Sequence, residues 1–225
     1  MRLMINNEQL TGRSTGHLRE IFPGYFLHDG VVAPYLQLVD KAKRAGIHLR
    51  LASGFRSFDR QLAIWDAKAK GERPVLGEDG EPLDFRALDD REKVFAILRW
   101  SALPGASRHH WGSDIDVWDS AAVGRDYRLQ LTPCEYDSGG PFYHCACWLA
   151  GLIRRRETAF FRPYTGLSGD VAAEPWHLSY RPIATAFAQA MTVEVLAGLI
   201  AGVDIQLKAS ILNNIDEIHA RFVSV

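Results

Sequence analysis

What most constrains the fold of this chain is how its few strand-like runs sit among helical ones. His48–Ala52 (HLRLA) alternates apolar and polar residues, Asp114–Trp118 reads as a second short strand, and Leu178–Tyr180 continues a third after Trp176-His177. The remaining periodicity is helical: Ala33–Ala45, stopped by Gly46; a helix from the N-cap Ser57 through Lys70; Arg91–Ala102, ended by Pro104-Gly105; Pro141–Arg156; the apolar run Ile183–Gly202; and the more amphipathic Gln206–Phe222. No βαβ unit repeats, so the expected class is α+β, a small central antiparallel sheet flanked by helices. With 225 residues, 47% of them hydrophobic, the chain can build one sizeable core. Residues 1–225 are therefore read as a single domain, with a motif-bearing core at about 33–182 and a C-terminal helical extension at about 183–225. No Pro/Gly/Ser linker precedes that extension, so it is expected to pack on the same body. Gly71–Asp90, rich in Gly, Pro, Asp and Glu, reads as an exposed hairpin or lid.

Charge narrows the partners. Lys and Arg number 26 against 27 Asp and Glu, and the longest basic run is Arg154-Arg155-Arg156. This balance gives no footprint for nucleic acid or an anionic membrane. No stretch reaches the roughly 18 apolar residues of a membrane span. The first twenty residues lack the apolar core and cleavage site of a secretory signal, so the default expectation is cytoplasmic, or periplasmic if a leader is missing. Cys134, Cys145 and Cys147 are too few and odd in number for a disulfide framework. The Cys145-Ala146-Cys147 spacing does not suit a zinc knuckle, and cysteine in an apolar helix behaves as a small core residue.

Three clusters carry chemistry. Ser107-Arg108-His109-His110-Trp111-Gly112-Ser113-Asp114-Ile115-Asp116 holds two histidines and two aspartates. A catalytic zinc takes three ligands from His, Asp and Glu and leaves a position for water. Period-two alternation puts Asp114 and Asp116 on one side of the strand, so spacing alone leaves either histidine and either aspartate eligible. The second cluster is Glu174-Pro175-Trp176-His177, which Pro175 keeps out of a helix. A regular strand would place Glu174 and His177 on opposite faces, so a twist or bulge is needed to point both at one metal. The third is Ser53-Gly54-Phe55-Arg56-Ser57 with Gln61 a turn later, where an arginine at a strand end can grip a carboxylate or stabilise an oxyanion. His17, His28, His48, His144 and His219 belong to no such arrangement and are read as surface or packing residues.

In this order and spacing the clusters resemble the D-alanyl-D-alanine carboxypeptidases of the VanY and VanX type, whose motifs run Ser-Gly-Tyr-Arg-Ser, Ser-x-His-x-x-Gly-x-x-x-Asp and Glu-x-Trp-His. The match spans about residues 50 to 180, with Phe55 in place of the usual tyrosine and Asp114 where a small residue is common. The resemblance implies a Zn2+ cofactor held by His109, Asp116 and His177, and Glu174 as the base that activates water. It implies that Arg56 polarises the scissile carbonyl or grips the substrate, with Ser107 and Gln61 in substrate binding. Asp114 becomes a neighbour that orients a ligand histidine. The implied reaction is hydrolysis next to a C-terminal D-alanine in peptidoglycan stem peptides or their precursors. A dipeptidase, an L,D-carboxypeptidase or a wall endopeptidase on the same scaffold, and a non-catalytic zinc module, are the alternatives.

Overall fold

The structure, a computed structural model, describes residues 5–77, 80–167 and 171–224. A capped helical turn, α1 (Asn7–Leu10), precedes a hairpin of β1 (Leu18–Phe22) and β2 (Tyr25–His28) and the long helix α2 (Asp29–Arg44). Then come β3 (Leu49–Ser53), α3 (Phe58–Ala69), α4 (Asp90–Leu98), a 3-10 turn at Arg108–Trp111, and β4 (Asp114–Asp119). The chain continues through α5 (Pro133–Tyr136), α6 (Tyr143–Arg154), β5 (Phe160–Phe161), β6 (His177–Tyr180), α7 (Arg181–Ala190) and α8 (Val193–Ala201). It ends in α9 (Lys208–Asn213), α10 (Ile215–Ile218) and a π turn at His219–Val223.

The central sheet has the order β3-β4-β6-β5 with every pair antiparallel, so the expected α+β class holds. Its two faces differ because side chains alternate along each strand. Leu49, Leu51, Ile115, Val117 and Leu178 bury one face against Val31, Tyr35 and Leu38 of α2 and Cys145, Leu149 and Leu152 of α6. Asp114, Asp116, His177 and Ser179, equally buried, occupy the alternate positions. Cys145 is a core residue, as read from sequence, whereas Cys147 is exposed.

The C-terminal helices are part of the body. Leu196, Ile200, Ile211, Ile215, Ile218 and Phe222 share one apolar cluster with Trp65 of α3 and Val94 and Ile97 of α4. No described helix is long and apolar enough to cross a membrane; α7 and α8 qualify only together, bent by 68°. That bend corrects the single helix expected over Ile183–Gly202. Helix α7 ends at Ala190, capped by Met191, and Thr192 caps α8, its Oγ1 accepting the Val195 N–H at 3.3 Å. The Gln206–Phe222 helix is likewise interrupted, at Asn214, whose side chain bonds back to the Ser210 carbonyl at 2.7 Å. The helix expected over Arg91–Ala102 begins at the capping box of Asp89 and Glu92 and stops earlier, at Leu98.

Two features near the N-terminus went beyond the sequence reading. The β1–β2 hairpin turns on Pro23-Gly24, with Gly24 at φ 81°, where proline presets one turn position and glycine tolerates the other. Helix α2 starts at Asp29, not Ala33; His28 caps it by accepting the Gly30 N–H on Nδ1 at 3.1 Å, and Pro34 lies inside the helix. The Gly71–Asp90 excursion forms a small hairpin with a bridge between Leu76 and Pro82, tied down by the Trp100 indole N–H donating to the Gly77 carbonyl at 3.2 Å. Glu78 and Asp79 of that segment lie outside the described residues.

Candidate active site

Strand register brings the first two chemical residues together. Asp116 is the Cα partner of His177 across β4 and β6, so their side chains are cross-strand neighbours. The third, His109, comes from the 3-10 turn, which Gly112 closes at φ 67°. A Cβ at Gly112 would stand 2.7 Å from the His28 backbone nitrogen, whose N–H the Gly112 carbonyl accepts at 2.9 Å. The close crossing of β2 over this turn therefore requires glycine there, on steric as well as conformational grounds.

His109 Nε2 lies 3.3 Å from Asp116 Oδ2, and His177 Nδ1 lies 3.2 Å from Asp116 Oδ1. One donor atom from each of the three residues falls within 4.8 Å of the others, all buried. Each histidine is oriented through its other nitrogen. His109 Nδ1 faces the Gly54 carbonyl at 2.8 Å, which leaves Nε2 as a lone-pair donor. His177 Nε2 faces Asp114 Oδ1 at 3.0 Å, which leaves Nδ1. Asp116 Oδ1 and His177 Nδ1 are buried without a hydrogen-bond partner, a costly state for two polar atoms that a cation between them would relieve. Two imidazoles and a carboxylate, each imidazole fixed by an outer hydrogen bond, form a donor set that fits zinc.

Electrostatics point the same way. Burial by itself would raise the Asp116 carboxyl, but His109 and His177 hold it well below the usual carboxylate range. Burial would likewise lower His177, yet the hydrogen bond to Asp114 and the nearby carboxylates of Asp116 and Glu174 push it well above its usual value. The site is thus a buried well of negative potential awaiting positive charge.

Glu174 reaches this well through a turn and not through the strand twist or bulge expected from sequence. The His177 N–H bonds to the Glu174 carbonyl at 3.1 Å, so Glu174 to His177 make one reverse turn ahead of β6. Glu174 Oε2 ends 3.3 Å from His177 Nδ1, with its side chain 16% exposed. It faces a cavity of about 760 Å³ that Arg56, Ser107, His109, Asp116 and His177 also line.

The residues around Arg56 sort out differently. Gln61 is fully buried and absent from the cavity wall; its Oε1 accepts from Arg56 Nη1 at 2.9 Å while its Nε2 donates to the Ala102 carbonyl at 2.7 Å. Its contact is with Arg56. His110 turns away from the metal position. Its Nδ1 lies 2.6 Å from the Arg56 carbonyl, and its Nε2 accepts the Gly105 N–H at 3.0 Å. Burial drives its pKa down to about 3, so it is a neutral backbone clamp.

A buried network behind β4 was not foreseen in full. Arg108, only 4% exposed, donates from Nε to Asp114 Oδ1 at 2.8 Å and from Nη2 to Ser179 Oγ at 2.6 Å. The hydroxyls of Ser113 and Ser179 also donate to Asp114 Oδ2, at 2.6 and 3.1 Å. Asp114 therefore orients His177, as expected, and is itself held by three other donors. The sequence signal for Arg108 was there: a buried Asp114 needs a counter-charge, and Arg108 is the cation beside the motif. Tyr164 was also missed; its ring packs edge-on against His177 with centroids 4.9 Å apart.

Comparison with known proteins places this geometry. The sequence pattern of the VanY family, described as D-alanyl-D-alanine carboxypeptidase, matches residues 25–183, more than half of the chain. The chain belongs to the VanY family. A D-alanyl-D-alanine carboxypeptidase of Enterococcus faecalis is 28% identical over 152 residues, covering 66% of this chain and 46% of that protein. An uncharacterised protein of Haemophilus influenzae is 42% identical over 105 residues, 45% of this chain and 72% of the other. Among solved structures, VanYB in complex with D-alanine-D-alanine superposes with a TM-score of 0.52 at 21% identity, covering 83% of this chain and 89% of its own. A VanY variant in complex with Zn(II) gives 0.51 at 20% identity, covering 88% and 92%. At that identity the likeness is one of fold. The VanY match ends at residue 183, so α8 and the helices after it lie beyond the shared pattern.

Proposed function

We propose that this VanY-family chain is a zinc peptidase that hydrolyses the peptide bond next to a C-terminal D-alanine in bacterial cell-wall peptides. The observation that carries the reading is the placement of Glu174, with its carboxylate 3.3 Å from the free nitrogen of His177 and open to the cavity. A module that only bound zinc would have no use for a free carboxylate there. His109, Asp116 and His177 would hold the metal, which when bound supplies Lewis-acid polarisation and acidifies water. Glu174 accepts the proton of the attacking water and passes it to the leaving amine. Arg56, braced by Gln61 and by the His110 clamp on its carbonyl, offers its guanidinium to the scissile carbonyl and to the negative charge that develops there. Ser107, buried at the cavity wall, orients the substrate.

The size of the cavity favours a substrate longer than a free dipeptide. Leu76, Gly80 and Glu81 of the Gly71–Asp90 excursion, Gln130 to Cys134 at the start of α5 and just before it, and Phe222 of the C-terminal turn all wall it, well beyond the metal position. Carboxypeptidase action on a pentapeptide stem is the first expectation and dipeptidase action the second. Mass spectrometry of a D-Ala-D-Ala-ended pentapeptide after incubation with zinc-loaded protein tests it. Loss of one alanine, abolished by chelator, is the expected result. Release of no alanine from the pentapeptide, with turnover of free D-Ala-D-Ala, would replace this reading with a dipeptidase. Glu174→Gln should keep zinc and lose turnover by at least about a hundredfold; near-normal turnover would remove Glu174 from the chemistry.

A further inference from the structure

Among the described residues, Arg56 and Lys68 are the only lysine or arginine side chains that line the cavity. Arg56 donates to Gln61 Oε1 at 2.9 Å and to Ser53 Oγ at 3.5 Å. Lys68, in the last turn of α3, is half-buried, and its ammonium donates to the Ser101 hydroxyl at 2.6 Å. Among the described residues it forms no ion pair. A partly buried ammonium bonded to one neutral hydroxyl, with no carboxylate in direct contact, keeps two donors free for a partner in the cavity. Seven residues, two helical turns and about 10 Å of rise separate Lys68 from Gln61. An extended peptide advances about 3.3–3.6 Å per residue, and helical side chains lean toward the helix N-terminus. The ammonium therefore stands about one to three peptide residues from the Arg56 guanidinium.

We propose that Lys68 is a specificity residue that receives a carboxylate of the bound peptide, while Arg56 serves the bond under attack. This deepens the peptidase reading and rests on it. Burial, then repulsion from Arg73, lowers the Lys68 amine to about 8, with Glu174 acting in the opposite direction. At neutral pH the amine still carries its proton, so the charge is present when peptide binds. An incoming carboxylate restores the pair that the protein does not supply, and the charge-assisted bond it forms is of the stronger kind. The source of the carboxylate is either the C-terminus of the peptide or an acidic group further along it.

Calorimetry on zinc-loaded protein carrying Glu174→Gln separates binding from turnover. The probes are a D-Ala-D-Ala-ended pentapeptide as free acid, the same peptide with a C-terminal amide, and one with its internal carboxylates amidated. Lys68→Met should weaken the free acid about tenfold or more, and Lys68→Arg should recover most of that loss. The amidation that erases the difference between lysine and methionine identifies which carboxylate Lys68 holds. Equal affinities of the lysine and methionine proteins for the free acid, an equal loss with both amidated peptides, or no binding to either protein overturns the assignment. Turnover by the unsubstituted enzyme is scored separately. Binding that depends on Lys68 without hydrolysis would remove the peptidase reading and leave Lys68 in place.

Discussion

Asp114 is 0% exposed and anchors both Arg108 and His177, so its replacement should act on stability and on the metal at once. Asp114→Ala leaves the Arg108 guanidinium buried without a counter-charge, and breaking one side of a buried ion pair costs about 3–5 kcal/mol. That is a large share of the roughly 5–15 kcal/mol that holds a domain folded. For a chain of this size each kcal/mol moves Tm by about 2–4 °C, so the expected drop is about 6–20 °C. A second effect rides on the first. His177 loses the acceptor that fixes its ring, and loss of such an outer partner weakens metal binding by about 10- to 100-fold. Since a ligand bound only by the folded state stabilises it by mass action, zinc should widen the gap between parent and variant by a further ~1.4–2.7 kcal/mol. Denaturant unfolding in chelator reads the ion pair alone; the same titration at saturating zinc adds the metal. A loss below about 1 kcal/mol in chelator would mean that Arg108 finds water or another acceptor, and that the buried-pair argument is wrong. A normal loss in chelator with no widening in zinc would mean that Asp114 holds Arg108 but does not prepare His177. The pH sign follows from the same contacts. Burial would raise the Asp114 carboxyl, but Arg108 and its other donors depress it strongly. Its contribution is therefore complete above the unfolded carboxylate pKa of about 4 and is lost as pH falls from there toward the depressed folded value.

His109→Ala and His177→Ala should each abolish stoichiometric zinc binding measured by elemental analysis; full occupancy in either variant would show that the triad is not the metal site. Gly112→Ala should cost about 1–3 kcal/mol in chemical denaturation, because a positive φ and the clash with the His28 backbone act together; a loss within a few tenths would show that the β2 crossing can move. His17 is lowered to about 4, by burial first and by His28 second. The unfolded chain then binds the extra proton between pH 6.5 and 4, so stability should fall as pH drops through that window. His17→Phe should flatten the fall in unfolding free energy over that range, and an unchanged slope would mean that His17 is hydrated.

Alternation and punctuation made much of this protein legible before its structure. The strand at 48–52 came from period-two patterning, those at 114–118 and 178–180 were read as short strands, and the Ser57 cap of α3 came from the preference of a hydroxyl for the free N–H groups of a first helical turn. Where helices were misread, local signals competed. The helix read from Ala33 begins four residues earlier with Pro34 inside it, because the His28 cap and the burial of Val31 and Val32 fix the true beginning upstream. Thr192 looked like one residue of an apolar run until its capping of α8 turned the chain by 68°.

By its sequence alone the chain determined which residue types could do chemistry and in what order they occur, since these depend on side-chain functional groups and short spacings. It left His109 and His110, and Asp114 and Asp116, interchangeable on spacing. The family resemblance chose His109 and Asp116, and only the tertiary structure supplies the physical reason. Pairing with β6 sets Asp116 opposite His177, while Arg108 and Ser179 claim Asp114. The Gly54 carbonyl fixes His109 toward the metal, and the Arg56 carbonyl draws His110 away. Those partners lie up to 65 residues distant along the chain, and a contact of that range is decided by strand register and packing, which no local pattern encodes.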